Sequence, residues 1–261
     1  HIVSLVPLLL HLNHPALPGY VEDAPAGIAD FILSNYQQNF LSKEHPELVE
    51  DVQSAVNSDV VFTTILGIYV MGSFGSISQT SASDLDIWIC HQDDLSEQDQ
   101  QRLVEKTKKI SLWASTFHVE MHFYLMTQKR FRNERYSDPL TKENSGSAQY
   151  MLLLEEFYRS AVRLSGKPLL WLHLWVEDEK QYEAEVSRLV EAGELDPNDW
   201  VDFGGLGQFS ASEYFGASLW QLYKGIDSPY KSVMKILLLE TYAQEYPNAH
   251  LIARQFKEDL L

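Results

Sequence analysis

The chain has 261 residues, 45% of them hydrophobic and 22% charged, the composition of a folded protein rather than a disordered one. Its 37 acidic residues outweigh 20 Lys and Arg for a formal charge of −17, which excludes the dense basic surface that displaces counterions from nucleic acid. Thirteen of those seventeen charges fall in residues 1–101, where Lys43 is the one Lys or Arg, so a polyanionic ligand must meet metal ions, backbone dipoles or the basic residues from Arg102 onward.

Taken in chain order, Ile2–Leu12 reads as a helix halted by Pro15, Pro18 and Gly19. It lacks the basic flank and small-residue cleavage site of a secretory signal, and no apolar run approaches the ~20 residues of a membrane span. The chain opens on His1 rather than Met with that helix already under way, which suggests a fragment of a longer protein. An acidic, irregular stretch to about Asp59 precedes Val60–Met71, a β-branched and aromatic run expected to be a buried strand ending at Gly72-Ser73. Phe74–Ser83 is rich in Ser and Gly and reads as a loop or one short helix.

Asp84–Cys90 alternates strictly, with Asp84, Asp86, Trp88 and Cys90 on one face and Leu85, Ile87 and Ile89 on the other. Ser96 with Asp99 reads as a capping box opening a helix through Phe117. Val119–Met126 alternates again, placing Glu120, His122, Tyr124 and Met126 opposite Val119, Met121, Phe123 and Leu125. Gln128–Lys142 reads as a loop, Met151–Ser165 as a helix capped by Gly166, and Leu169–Val176 as one more strand. The pattern is helical from Asp178, with a capping box at Ser210 and Glu213 and a helix from Pro229 through Tyr242. The order predicts an α+β core with a mixed sheet over residues 1–176 and a helical subdomain over 177–261.

The chemistry concentrates in MGSFGSISQTSASDLDIWIC. A buried strand delivers Gly72-Ser73 into a turn of small residues, whose backbone N–H groups can approach a phosphate. Asp84 and Asp86, at i and i+2, stand ~7 Å apart from a rise of ~3.3 Å per residue, so both can grip one ion or a pair. Hard Mg²⁺ prefers such oxygens and keeps positions open for substrate phosphate. Glu120 can supply a third carboxylate if its strand neighbours the first. An isolated Asp-x-Asp is common, but here the opposite face is wholly apolar and must enter a core. The acid face also carries Trp88.

GSFGSISQTSASDLDIWICHQ resembles the catalytic signature of class I adenylate cyclases of the enterobacterial type. LLLLHLNHPALPGY, MLLLEEFYRSAVRLSGKPLLW and EYFGASLWQLYKGIDSPYKSVMKILLLETYAQEYPN are similar to the same family, so the likeness spans most of the chain. It implies a nucleotidyltransferase fold of the DNA polymerase beta type, converting ATP to 3′,5′-cyclic AMP and pyrophosphate by in-line attack of the ribose 3′-hydroxyl. Carried over by residue, it places Gly72, Ser73 and Ser83 on the triphosphate and Asp84, Asp86 and Glu120 on two Mg²⁺ ions, with Mn²⁺ an alternative. Trp88 admits two readings, adenine or ribose contact or packing beside the site. The family also carries a C-terminal regulatory region absent here, through which a sugar-phosphotransferase protein acts, and the resemblance implies a bacterial cytoplasmic enzyme.

Cations for the triphosphate are expected downstream. Lys231 and Lys235 are four apart and share a helix face after Ser228-Pro229, and Arg159 and Arg163 show the same spacing. Either pair could instead be a solvated face bridged to acids such as Glu155 and Glu156. His11 and His14 have ligand-like spacing without a third ligand, Cys90 reads as a small buried residue, and His122 either orients Glu120 or is a strand histidine. Two other activities fit the same residues: transfer of the nucleotide to a second molecule, or nucleotide sensing without turnover.

Overall fold

The computed structural model describes residues 1–50, 52, 63–74, 83–133, 150–207 and 209–261. The chain forms two compact units, one of residues 1–128 with 161–168 and one of 129–160 with 169–261. Their borders fall at 128, 160 and 168 rather than at one point near 176.

The first unit is built on a four-stranded mixed sheet, in the order β3-β2-β1-β4. β1 (Ile65–Met71) pairs antiparallel with β2 (Leu85–His91) and, on its other side, with β4 (Val162–Gly166). β2 pairs in parallel with β3 (Met121–Met126) through the crossover helix α3 (Glu97–Ser115). Parallel neighbours need such a crossover. Ile68, Val70, Leu85, Ile87 and Ile89 form one core with Leu5, Leu8 and Leu9 of helix α1 (Ile2–His11) and with Leu103 and Ile110 of α3. The expected strand at 60–71 is shorter among the described residues, and 60–62 lie outside them. Residues 75–82 of the expected Phe74–Ser83 loop lie outside them too.

Capping side chains in the sequence open three of the helices, at Ser34, Ser96 and Ser210. The Ser96 hydroxyl accepts from the Asp99 N–H at 3.1 Å and opens α3. Helix α2 (Asn35–Glu44) was hidden in the stretch read as irregular. Its signal is a capping box, in which Ser34 accepts from the Gln37 N–H and the Gln37 side chain accepts from the Ser34 N–H at 2.9 Å.

Three expectations are corrected. The helix read over Met151–Ser165 ends at Ser160, and Val162–Gly166 becomes edge strand β4. Gly166 is therefore no helix cap. Its φ is +84°, and a Cβ there would lie 2.5 Å from the Leu66 oxygen and 2.6 Å from the Gly67 Cα. Glycine is required where two backbones come this close. Leu169–Val176 is not a strand: Leu170–Leu172 is one 3₁₀ turn, and Leu169 forms an isolated bridge with Val201. The buried Trp171 ring stacks on Tyr158 at 4.3 Å, and tight curvature serves that packing better than extension. Gln128–Asn133, the start of an expected loop, is a short helix, α4, anchored by buried Phe131 against Phe203 and Tyr150. Residues 134–142 of that loop lie outside the described residues.

The second unit is helical, as expected for the C-terminal part: α5 (Tyr150–Ser160), α6 (Tyr182–Glu191), α7 (Ala211–Lys224), α8 (Pro229–Gln244) and α9 (Ile252–Leu260). Glu155 of α5 is buried and accepts from the Tyr242 hydroxyl and the Ala253 N–H, both at 3.0 Å. It thereby caps α9, whose own N-cap residue, Leu251, has no side-chain donor or acceptor. Lys257 of α9 is fully buried with its ammonium 4.2 Å from the Trp171 ring centre, and burial brings its pKa down to about 8. Among the described residues no helix is long and apolar enough to cross a membrane.

Candidate functional site

The alternation read at Asp84–Cys90 places Asp86 on the sheet face opposite the core. Register fixes its neighbours: Met71 of β1 on one side and His122 of β3 on the other. Gly72 and Ser73 follow Met71 directly, so the strand end and turn expected to meet a phosphate lie beside the strand that carries Asp86. Gly72 has φ +90°, and a Cβ there would meet nothing within 4 Å. Its glycine serves the turn's conformation rather than relieving crowding.

Asp84 stands exposed just before β2, and Asp86 is half-buried within it. The Leu85 N–H donates to the Glu120 oxygen at 2.9 Å, tying the entry of β2 to that of β3. Glu120 is therefore next to Asp84 in register, the adjacency that a third carboxylate would need. Its side chain is 72% exposed, and the Oε1 oxygen lies 3.1 Å from Nε2 of His122. Of the two readings of His122, this contact favours the orienting one. Among the described residues no three His, Cys, Asp or Glu side chains converge on one point as a ready metal cage.

The sequence reading missed Tyr124. Its hydroxyl donates to Oδ1 of Asp86 at 3.4 Å. The strict alternation of β3 placed Tyr124 on the Glu120 face, and parallel pairing puts that face beside the Asp86 face. Pairing order, which periodicity does not encode, was the missing information.

A row of side chains crosses all four strands next to Asp86: Arg163 of β4, Tyr69 of β1, Trp88 of β2 and Tyr124 of β3. Trp88 is 3% exposed, which leaves its indole little surface for a nucleotide and favours packing beside the site. Tyr69 is buried with its hydroxyl donating to the Lys167 oxygen at 2.6 Å. Burial pushes its phenol well above the ordinary range, Cys90 adds to the rise, and Arg163 opposes it. Burial likewise pushes the Cys90 thiol far up, with Asp93 adding to the effect, so Cys90 is packing and not a nucleophile.

The expected cations divide differently from the prediction. Arg159 and Arg163 do not share a helix face: Arg159 is on α5, while Arg163 is exposed on edge strand β4 of the sheet that bears Asp86. The Arg163 guanidinium donates to the Gly166 oxygen at 3.3 Å. Arg159 Nε lies 3.3 Å from Glu155 Oε1. Lys235 Nζ lies 2.7 Å from Glu156 Oε1. Burial raises the Glu156 carboxyl, but Lys235 and Arg159 outweigh it and hold the group below the usual carboxylate range. Lys231 is exposed on α8, one turn from Lys235. Ser83 is half-buried at the approach to β2.

His11 is no metal ligand. Its Nδ1 accepts from the Ile28 N–H at 3.0 Å, its ring stacks on Phe31 at 3.9 Å, and burial lowers its pKa to about 4.

Two family profiles match this chain. That described as the adenylate cyclase NT domain covers residues 1–172, and that described as the second domain of class-I adenylate cyclase covers 209–261. Relatives named adenylate cyclase include that of Haemophilus influenzae, 69% identical over the whole chain and 32% of the relative. The Pasteurella multocida protein is 64% identical over the whole chain and 31% of the relative. That of Escherichia coli O157:H7 is 45% identical over 99% of this chain and 30% of the relative. The chain thus spans about a third of the length of these relatives. Spectinomycin adenyltransferase from Enterococcus faecialis, solved with ATP and spectinomycin, overlays at TM-score 0.32 and 13% identity over 82% of this chain and 98% of its own, too loosely to carry an argument. By the match over residues 1–172 and by identity along its whole length, the chain belongs to the class-I adenylate cyclase family.

Proposed function

We propose that this chain converts ATP to 3′,5′-cyclic AMP and pyrophosphate on the sheet face that carries Asp84 and Asp86, using a nucleotidyltransferase arrangement. The carrying observation is the register that sets Asp86 between the end of β1, where Gly72-Ser73 begin, and the start of β3, where Glu120 and His122 stand. Relatives named adenylate cyclase support the choice of activity.

The donor set suits Mg²⁺, with Mn²⁺ as a substitute. Asp84 and Asp86 offer hard oxygens, with no all-protein cage among the described residues, and Mg²⁺ is commonly held by one or two carboxylates together with substrate phosphates. When bound, one or two such ions would supply Lewis-acid stabilisation of the phosphate charge.

The protein's own groups then have separate tasks. Tyr124 holds the Asp86 carboxylate through its hydroxyl. Glu120, an exposed carboxylate held by His122, accepts the proton of the 3′-hydroxyl. The freed oxygen bonds to the α-phosphorus as the bond to the bridging oxygen of the β-phosphate breaks, and pyrophosphate departs. Gly72, Ser73 and Ser83 present polar groups to the phosphates, and Arg163 is the cation assigned to the leaving group. ATP is a cytoplasmic metabolite, which places the reaction in the cytoplasm. Control by a phosphotransferase protein would act through the C-terminal regulatory region that the family resemblance implies.

The test is to incubate the purified chain with ATP and Mg²⁺ and separate the products. Cyclic AMP with pyrophosphate, abolished in Asp86→Asn, supports the reading. Turnover only with an added acceptor would make it an intermolecular transferase, and binding without turnover a sensor.

A further inference from the structure

Helices α7 and α8 are apolar on two sides. α7 buries Tyr214, Ala217 and Trp220, yet Phe215, Leu219 and Leu222 are exposed at the 4-and-3 spacing of a second stripe. α8 buries Leu239 and Tyr242, yet Tyr230, Met234 and Leu237 repeat that spacing, with Tyr230 89% exposed. A surface helix needs only one apolar stripe, and a helix apolar all round belongs in an interior. Exposed apolar residues are ordinary singly, but two stripes at helical spacing on consecutive helices mark a covered surface.

We propose that these second faces of α7 and α8 are the docking surface for the polypeptide that, in full-length family members, lies beyond the second-domain region matched here. Three observations select that occupant. The second-domain match begins at Phe209 and contains both helices, so the faces belong to a domain of the family, not to a linker. The matched part is 32% of the Haemophilus influenzae relative, so about two thirds of that protein lies outside the match. Docking of a second copy would instead bring together two chains of −17 each, whose mutual repulsion opposes association. A covalently continuous segment also acts at the high effective concentration of its tether.

Thiol accessibility tests this without reference to catalysis. Cys90 is the chain's one cysteine and is buried, so Met234→Cys creates the sole exposed thiol. Tyr230→Cys serves as a second reporter if the first perturbs the fold. Maleimide labelling, read at that residue by peptide mass, is expected to be fast in this chain at every protein concentration. In the full-length Haemophilus influenzae adenylate cyclase with cysteine at the aligned position, labelling is expected to be about tenfold slower or more, as for a side chain in the core of an interface. Equal rates in the two proteins would overturn the proposal. Protection that rises with concentration in the 261-residue chain would also overturn it, because a second copy would then be the occupant.

Discussion

Replacing Gly166 with alanine probes the placement of β4, the strand that brings Arg163 to the sheet. Gly72 supplies the control, because both glycines have a positive φ, +84° and +90°, and only Gly166 is crowded. Forcing an L-residue into the left-handed region costs about 1–2 kcal/mol, the whole expected effect in Gly72→Ala. In Gly166→Ala the new methyl would sit 2.5 Å from the Leu66 oxygen and 2.6 Å from the Gly67 Cα. Backbone cannot rotate away as a side chain can, so β1 and β4 must separate, and overpacking adds about 1–3 kcal/mol. The predicted loss is therefore about 2–5 kcal/mol in total, by adding the left-handed and overpacking costs. Urea titrations of the two variants and wild type, followed by far-UV circular dichroism, measure both. Equal losses in the two variants would show that β4 does not approach β1 this closely, and the placement of Arg163 would fall with it.

Other outcomes follow from the same contacts. His11 is held neutral at a pKa of about 4 against an ordinary 6.5, so the unfolded chain binds the proton first as pH falls. Stability from this group is therefore full above pH 6.5 and declines towards pH 4, by about 3 kcal/mol at 1.36 kcal/mol per unit. Denaturant midpoints in His11→Asn should lack that part of the acid dependence. Arg163→Ala should lower kcat/KM for ATP about ten- to a hundredfold, the value of a hydrogen bond to a charged group, without shifting the urea midpoint. Arg159→Ala should do the reverse, destabilising by about 3 kcal/mol because buried Glu155 loses its cation. Tyr124→Phe, which removes one long hydrogen bond to Asp86, should raise the Mg²⁺ needed for half-maximal activity about two- to tenfold and leave the unfolding midpoint unchanged.

How much of this was legible in the sequence depended on whether the signal was local. Alternation at Asp84–Cys90 and Val119–Met126 identified both the core face and the acid face, since side chains on a strand change sides at each residue. The capping serines at 96 and 210 each accept from the N–H three residues on, as their spacing implied. What failed was non-local. Nothing in VRLSG says that it joins a sheet beside β1, a strand that ends at Met71, 91 residues before Val162, so its apolar periodicity merged with the preceding helix. Tyr124 was invisible as a partner of Asp86 for the same reason. Trp171 drew a strand assignment from its apolar neighbours, whereas its stacking on Tyr158 required a turn.

The charge asymmetry acquires a geometric meaning from β4. Two strands of the sheet, β1 and β2, come from the acidic first 101 residues and β3 follows at Met121–Met126, while the fourth returns from beyond residue 160 carrying a cation. Arg163 faces Tyr69 on β1, and Asp86 lies one strand farther, on β2. Two strand spacings of ~4.8 Å across the sheet and an offset of two residues, ~3.3 Å each, along β2 put the acid and the base about 12 Å apart, beyond a Debye length at ordinary salt. At that distance they do not neutralise each other as Lys235 and Glu156 do at 2.7 Å. An acid and a base held apart on one face can meet a metal ion and a phosphate at the same time, whereas the pairs on α5 and α8 have already satisfied their charges. Placing the base on an edge strand and the acid on an inner one achieves this separation with a single crossing of the chain.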